Sequence, residues 1–87
     1  MRVVIVYRDK SEHRRQVEGF LFDYKRRTGG DIEVIDPDSR DGVSFCKAYD
    51  ITNYPTIIAL GPDGSPYHVW SGDMLPTISE VNAVANI

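Results

Sequence analysis

The run Val3-Val4-Ile5-Val6-Tyr7 constrains the fold of this chain more than any other segment. It is continuously apolar and mostly β-branched, which is typical of a strand that is buried on both faces. Such a strand needs helices on each side of its sheet. The sequence supplies them, because strand and helix patterns alternate along the 87 residues in the order βαβαββα. Alternation requires crossover connections, so we expect the first two strands to be parallel.

Two helices have recognisable starts. Asp9 or Ser11 can cap the first helix, and Glu12 stands three residues after Asp9, as a capping box requires. Thr77 and Glu80 form the same motif before the last helix. A short helix between them runs from about residue 42 to 49. The apolar faces of the three helices comprise, in chain order, Val17, Phe20, Leu21 and Tyr24; Val43, Cys46 and Tyr49; and Ile78, Val81, Val84 and Ala85.

Three further segments have strand patterns, namely Asp31–Ile35, Thr56–Leu60 and Tyr67–Trp70. The last two are separated by Gly61-Pro62-Asp63-Gly64, which is strong hairpin chemistry, so we expect them to be antiparallel. A strand buried on both faces, with helices between the strands, predicts a three-layer α/β sandwich. The length predicts one domain over residues 1–87.

Composition excludes several functional classes. The chain is 41% hydrophobic and 26% charged, and its one Trp, five Tyr and three Phe need burial, which favours a globular protein. A net charge of −3 gives no pull toward nucleic acid or an anionic membrane. The apolar opening run is too short to span a membrane and has no signal-peptide pattern, so we expect a cytoplasmic protein. Cys46 is the one cysteine, which excludes an internal disulfide.

The segment from Tyr49 to Thr56, Tyr-Asp-Ile-Thr-Asn-Tyr-Pro-Thr, resembles a signature of the thioredoxin superfamily. In that family a helix ends in Tyr-x-Ile shortly before a cis proline and a threonine. The hairpin at 61–64 and Ser71-Gly72 are also similar to family features. The match spans essentially the whole chain but lacks the extra amino-terminal strand and helix of full thioredoxins. It implies a three-layer α/β/α thioredoxin-like fold with a mixed four-stranded sheet, and a cis bond before Pro55.

The same resemblance implies that dithiol chemistry is lost. The family's C-x-x-C motif falls on Ser11-Glu12-His13-Arg14, where both thiols are replaced. Disulfide exchange needs an attacking thiolate, which serine cannot supply. The family's buried acid falls on Ile5. We expect no cofactor, and no metal site either, because neither cysteines nor clustered carboxylates accompany His13 and His68.

Three features leave alternatives open. The basic cluster of Arg8, Lys10, Arg14 and Arg15 around Ser11 is either an anion site at a helix start or a set of solvated charges. Cys46 is either a buried hydrophobe or a functional thiol. Pro55 either borders a peptide groove or only shapes the entry to its strand.

The first functional hypothesis is a redox-inactive adaptor domain that binds a peptide or a small anion where strand order reverses in the sheet. Its site would comprise Ser11, Glu12, His13 and Arg14 together with Tyr54, Pro55 and Thr56, in a groove walled by Tyr7, Tyr54 and Thr52-Asn53. The second hypothesis is an enzyme, transferase-like with glutathione at Ser11 or single-thiol through Cys46. The third is a structural subunit without a ligand. We expect a protein, peptide, anion or glutathione partner, and neither nucleic acid nor membrane.

Overall fold

The structure of the chain is a computed structural model, and it describes residues 1–72 and 74–87. Four strands pair in one sheet within these residues: β1 (Arg2–Val6), β2 (Glu33–Ile35), β3 (Thr56–Leu60) and β4 (Pro66–Ser71). The order across the sheet is β2-β1-β3-β4. The β1–β2 pair is parallel, whereas β1–β3 and β3–β4 are antiparallel. The predicted mixed sheet and hairpin are therefore confirmed.

Helices α1 (Arg14–Thr28), α2 (Arg40–Tyr49) and α3 (Ile78–Ala85) cover the two faces of the sheet. Because side chains alternate along a strand, β1 sends Val3 and Ile5 into one apolar cluster and Val4 and Val6 into the other. The first cluster includes side chains of α1 and α3, and the second those of α2. This arrangement confirms the three-layer sandwich, and it explains why the opening run has no polar alternation.

The first helix starts later than its sequence predicts. Its N-cap is His13, which makes no side-chain capping bond, so neither Asp9 nor Ser11 caps it. The Ser11 hydroxyl instead donates to the carbonyl oxygen of Arg8, at 2.7 Å, and closes a separate turn before the helix. The helix ends at Gly29, whose left-handed φ of 75° suits a residue without a Cβ atom.

Smaller differences concern the other elements. Val43 is 52% exposed rather than part of the apolar face of α2. The second strand is shorter than predicted, because Asp31 and Ile32 do not pair with β1, and the fourth strand is longer by one residue at each end. The capping box of α3 is as predicted, with the Thr77 and Glu80 side chains each bonded to the other's backbone N–H. None of the helices in the described residues is long and apolar enough to cross a membrane.

Candidate functional site

An open cleft of about 490 Å³ lies between the loop that follows β1 and the loop that precedes β3. Its lining residues are Tyr7, Arg8, Ser11, Glu12, His13 and Tyr54. Four of the seven predicted site residues thus meet around one cavity. Arg14 lies outside the cleft, in a neighbouring hollow that also contacts Ser11 and Glu12. The loops meet here because β1 ends and the antiparallel β3 begins at the same edge of the sheet.

Two cations of the predicted basic cluster, Arg8 and Arg14, are paired with carboxylates. Arg8 donates to both carboxylate oxygens of Asp38, at 2.9 and 3.3 Å. Arg14 lies 3.2 Å from Glu18 and 3.5 Å from Asp9. The hydrogen bond to Asp38 raises the pKa of Arg8 above its ordinary value. Since Glu12 also lines the cleft, the walls of the cleft carry both negative and positive charge.

The loop before β3, which contains Tyr54 and Pro55 and is called the proline loop below, contributes to the cleft mainly through Tyr54. The Tyr54–Pro55 peptide bond is cis, and the side chains of Pro55 and Thr56 are buried. The Thr56 hydroxyl donates to the carbonyl oxygen of Asn53 at 2.6 Å, and the Gly72 N–H donates to the carbonyl oxygen of Pro55 at 3.0 Å. Within the described residues, the backbone N–H and C=O of Tyr54 have no hydrogen-bond partner. Tyr54 is also the residue of this loop that lines the cleft.

The Tyr54 side chain has different neighbours on its two sides. The Arg8 guanidinium carbon lies 4.7 Å from the centre of its ring, which is a cation–π distance. Tyr54 also packs against the apolar cluster that contains Cys46. Burial, followed by the neighbouring Cys46 thiol, raises the pKa of the Tyr54 hydroxyl. Burial, with smaller contributions from Glu18 and Asp9, likewise raises the pKa of Tyr7.

Cys46 does not line the cleft. It is 9% exposed and lines a second hollow of about 360 Å³, the Cys46 pocket, with Val43, Lys47, Ile51, Thr52 and Tyr54 among its other walls. Thr52 therefore belongs to this pocket, and Asn53 lines neither cavity. The described residues contain no group of three or more histidine, cysteine or carboxylate side chains placed to hold a metal ion.

The contact between Arg8, Asp38 and Tyr54 is a feature that sequence reasoning missed. By residue type, Asp36-Pro37-Asp38 indicates only a turn. One signal could have found it, because β1 and β2 are parallel and the loops after them must lie at the same edge of the sheet. Neither residue type nor spacing indicates that Arg8 would also stack on Tyr54.

The sheet order, with helices on both faces, defines the class of the molecule as a thioredoxin-like α/β fold. Among solved structures, the chain is similar to thioredoxin 1 from Thermosipho africanus TCF52B, with a TM-score of 0.69 and 21% identity over 99% of this chain and 91% of that one. It is also similar to a structure described as a malarial protein, with a TM-score of 0.65 and 14% identity over 97% and 91% of the two chains. No family model matches the sequence, and no curated protein does. The likeness confirms the predicted fold.

Proposed function

We propose that this chain is a peptide-binding adaptor domain without dithiol redox activity, and that the peptide lies in the cleft beside Tyr54. One observation carries the proposal. Tyr54, whose backbone N–H and C=O have no hydrogen-bond partner within the described residues, lines an open cleft of about 490 Å³. An extended peptide can pair with such a donor and acceptor as a neighbouring strand would. Tyr7 and Tyr54 supply aromatic walls.

The charges favour a peptide over a small anion. An anion bound in the cleft would need an uncompensated cation in its walls, whereas Arg8, the arginine that lines the cleft, is paired with Asp38. The Ser11 hydroxyl donates its hydrogen bond to the carbonyl oxygen of Arg8. The carboxylate of Glu12, which also lines the cleft, would repel an anion. Exposed pairs of this kind are weak individually, so they leave the cleft nearly neutral without making it rigid.

Residue types support the proposed lack of dithiol chemistry. The resemblance to thioredoxins aligns Ser11 and Arg14 with the cysteines of the motif, and Cys46, the one thiol of the sequence, lines a different hollow. A single-thiol or glutathione-linked activity would need Cys46 or Ser11 to be accessible and activated. The glutathione-linked activity is the alternative that the experiment below distinguishes.

The proposal is tested by selecting peptides from a random phage-displayed library against the immobilised protein. Enriched sequences are synthesised and titrated into ¹⁵N-labelled protein while backbone amide shifts are followed. We expect the largest shifts at Tyr54 and at residues 11–13. Tyr54→Ala should weaken binding about tenfold or more, because aromatic residues at the centre of a site commonly carry that much binding energy.

Tyr67→Ala is the matched control, since Tyr67 is a tyrosine that is 52% exposed on β4 and lies outside the cleft. It should leave the affinity unchanged. Glutathione at millimolar concentration is titrated in parallel. Shifts at residues 11–15 with glutathione but with no enriched peptide would favour the transferase-like alternative. If neither ligand moves the cleft resonances, the peptide proposal is wrong and a structural subunit becomes the better interpretation.

A further inference from the structure

A single side chain, that of Arg8, connects three loops at one edge of the sheet. Its guanidinium binds Asp38 in the loop after β2 through two hydrogen bonds, at 2.9 and 3.3 Å. The same guanidinium lies 4.7 Å from the centre of the Tyr54 ring in the proline loop. The carbonyl oxygen of Arg8 accepts a hydrogen bond from the Ser11 hydroxyl, and this bond holds the loop after β1 in a turn.

Tyr54 is the wall that two cavities share. It lines the cleft with Tyr7 and His13, and it lines the Cys46 pocket with Val43 and Ile51. Because Tyr54 belongs to both linings, a movement of its ring would change both cavities. Arg8 contacts the ring but does not line the Cys46 pocket.

We propose that Arg8 is a positioning residue that holds Tyr54 between the cleft and the Cys46 pocket, so that loss of the Arg8 contacts opens one cavity to the other. The consequence for ligands rests on the function proposed above, because a held Tyr54 presents its backbone N–H and C=O in one direction. The accessibility of the pocket does not depend on that function. Cys46 is a reporter of the opening, and no chemistry is assigned to it.

The contacts of Arg8 need the shape of a guanidinium as well as its charge. Two parallel N–H groups meet the carboxylate while the flat face covers an aromatic ring, and a lysine ammonium cannot make both contacts at once. The side chains of Arg8 and Asp38 are 46% and 62% exposed, so the ion pair is solvent-screened and its contribution is modest. The Tyr54 ring should therefore move away from Arg8 occasionally even in the native protein.

The test measures the rate at which iodoacetamide alkylates Cys46 in the folded protein, followed by intact-mass spectrometry. Alkylation of a buried thiol reports the population of open molecules when opening is fast. We expect Arg8→Ala to raise the rate about two- to fivefold, the change that corresponds to losing one exposed cation–π contact. Arg8→Lys should raise the rate by less than Arg8→Ala, because an ammonium can keep either the ion pair or the ring contact but not both.

Arg2→Ala is the matched control. Arg2 is also an exposed arginine paired with a carboxylate, Glu33 at 2.7 Å, but it lies at the opposite end of β1. It should leave the alkylation rate of the native protein unchanged. Urea unfolding of each variant separates local opening from a general loss of stability. If Arg8→Ala proves unstable, Arg8→Gln tests the same contacts, because it removes the guanidinium and keeps most of the side-chain length. An unchanged rate in a folded Arg8→Gln variant would overturn the proposal.

A double-mutant comparison tests whether Arg8 acts through Tyr54. In a Tyr54→Ala background the shared wall is already absent, so Arg8→Ala should cause no further acceleration. Equal acceleration in both backgrounds, or a wild-type rate in folded Arg8→Ala, would show that Arg8 does not position the ring. Failure to bind any peptide would remove the proposed function while leaving these thiol rates as evidence for the opening. Unchanged thiol rates would remove the opening while leaving peptide binding intact.

Discussion

Gly42 lies in the first turn of α2, where the helix backbone runs against the loop that follows β2. Its N–H donates to the capping hydroxyl of Ser39 at 2.9 Å. A Cβ atom placed on Gly42 would overlap the carbonyl oxygen of Asp36. The helix can approach this loop closely only because residue 42 has no side chain.

Gly42→Ala should therefore destabilise the protein, even though alanine is the better helix former. The obstacle is a backbone atom rather than the end of a flexible side chain, so we expect a loss of about 2–3 kcal/mol in the free energy of unfolding, as for other overpacked sites. The measurement is urea denaturation followed by circular dichroism.

Gly19→Ala is the comparison that isolates the contact. Gly19 is an exposed residue within α1, and a Cβ atom there would meet nothing within 4 Å. It should stabilise the protein by about 0.5–1 kcal/mol through helix propensity alone. If both substitutions changed the free energy of unfolding in the same direction, the contact between α2 and Asp36 would not be tight.

This role of Gly42 could not be predicted from the sequence. A glycine near a helix start carries only a weak local preference, whereas its contact with Asp36 depends on how α2 docks. The cleft was predictable in part, since Ser11 and Tyr54 could be placed at one edge of the sheet by the resemblance. The burial of Pro55 and Thr56 was not, because it depends on how the proline loop packs.

Among the elements, α3 and α1 show when a helix start can be read from local sequence. Thr77 and Glu80 have the required spacing, and both side chains bond to the opposite backbone N–H, at 3.0 and 3.1 Å. Asp9, Ser11 and Glu12 have similar chemistry, yet α1 begins at Arg14. The Ser11 hydroxyl instead donates to the carbonyl oxygen of Arg8. The Asp9 carboxylate forms an ion pair with Arg14.

Thr77→Ala should lower the free energy of unfolding by about 1 kcal/mol, the usual contribution of an N-cap hydroxyl. Thr52→Ala serves as the control, because Thr52 is exposed and precedes no helix. Chemical denaturation at pH 7 measures both. An equal effect of the two substitutions would contradict the role assigned to the cap.

The same cap should make stability depend on pH. Hydrogen bonds from the Thr77 backbone and side chain lower the pKa of Glu80 below its ordinary value. A depressed folded-state pKa gives a contribution that is present above the unfolded-state pKa and is lost as the pH falls through the folded-state pKa. In Glu80→Gln, the free energy of unfolding should therefore fall less steeply as the pH is lowered. Unfolding curves recorded between about pH 5 and pH 3 measure this difference.

At the scale of the whole molecule, β1 determines the architecture. It is the strand shared by the parallel and the antiparallel parts of the sheet, and its side chains enter both apolar clusters. Its uninterrupted run of β-branched residues made the layered fold predictable. The ends of β2 and β4 were less predictable, because they depend on where pairing with a neighbour stops.

Ile5→Ala should cost about 2–5 kcal/mol, because the side chain is fully buried and its removal leaves a cavity. Small domains have only about 5–15 kcal/mol of net stability, so the variant should unfold at a much lower urea concentration. Val34→Ala removes a valine that is 49% exposed on β2 and should cost far less. Equal losses would mean that the centre of the sheet is not the main source of stability.

The central place of β1 has a consequence for biosynthesis. Its two neighbours in the sheet comprise residues 33–35 and 56–60, so Val3–Val6 emerge from the ribosome well before either partner does. At a synthesis rate of about 5–20 residues per second, the wait for the second partner is roughly 3–11 seconds. During that time the nascent chain exposes an uncharged, β-branched segment of the kind that aggregates. Early binding by a chaperone would be most valuable to this protein at that segment.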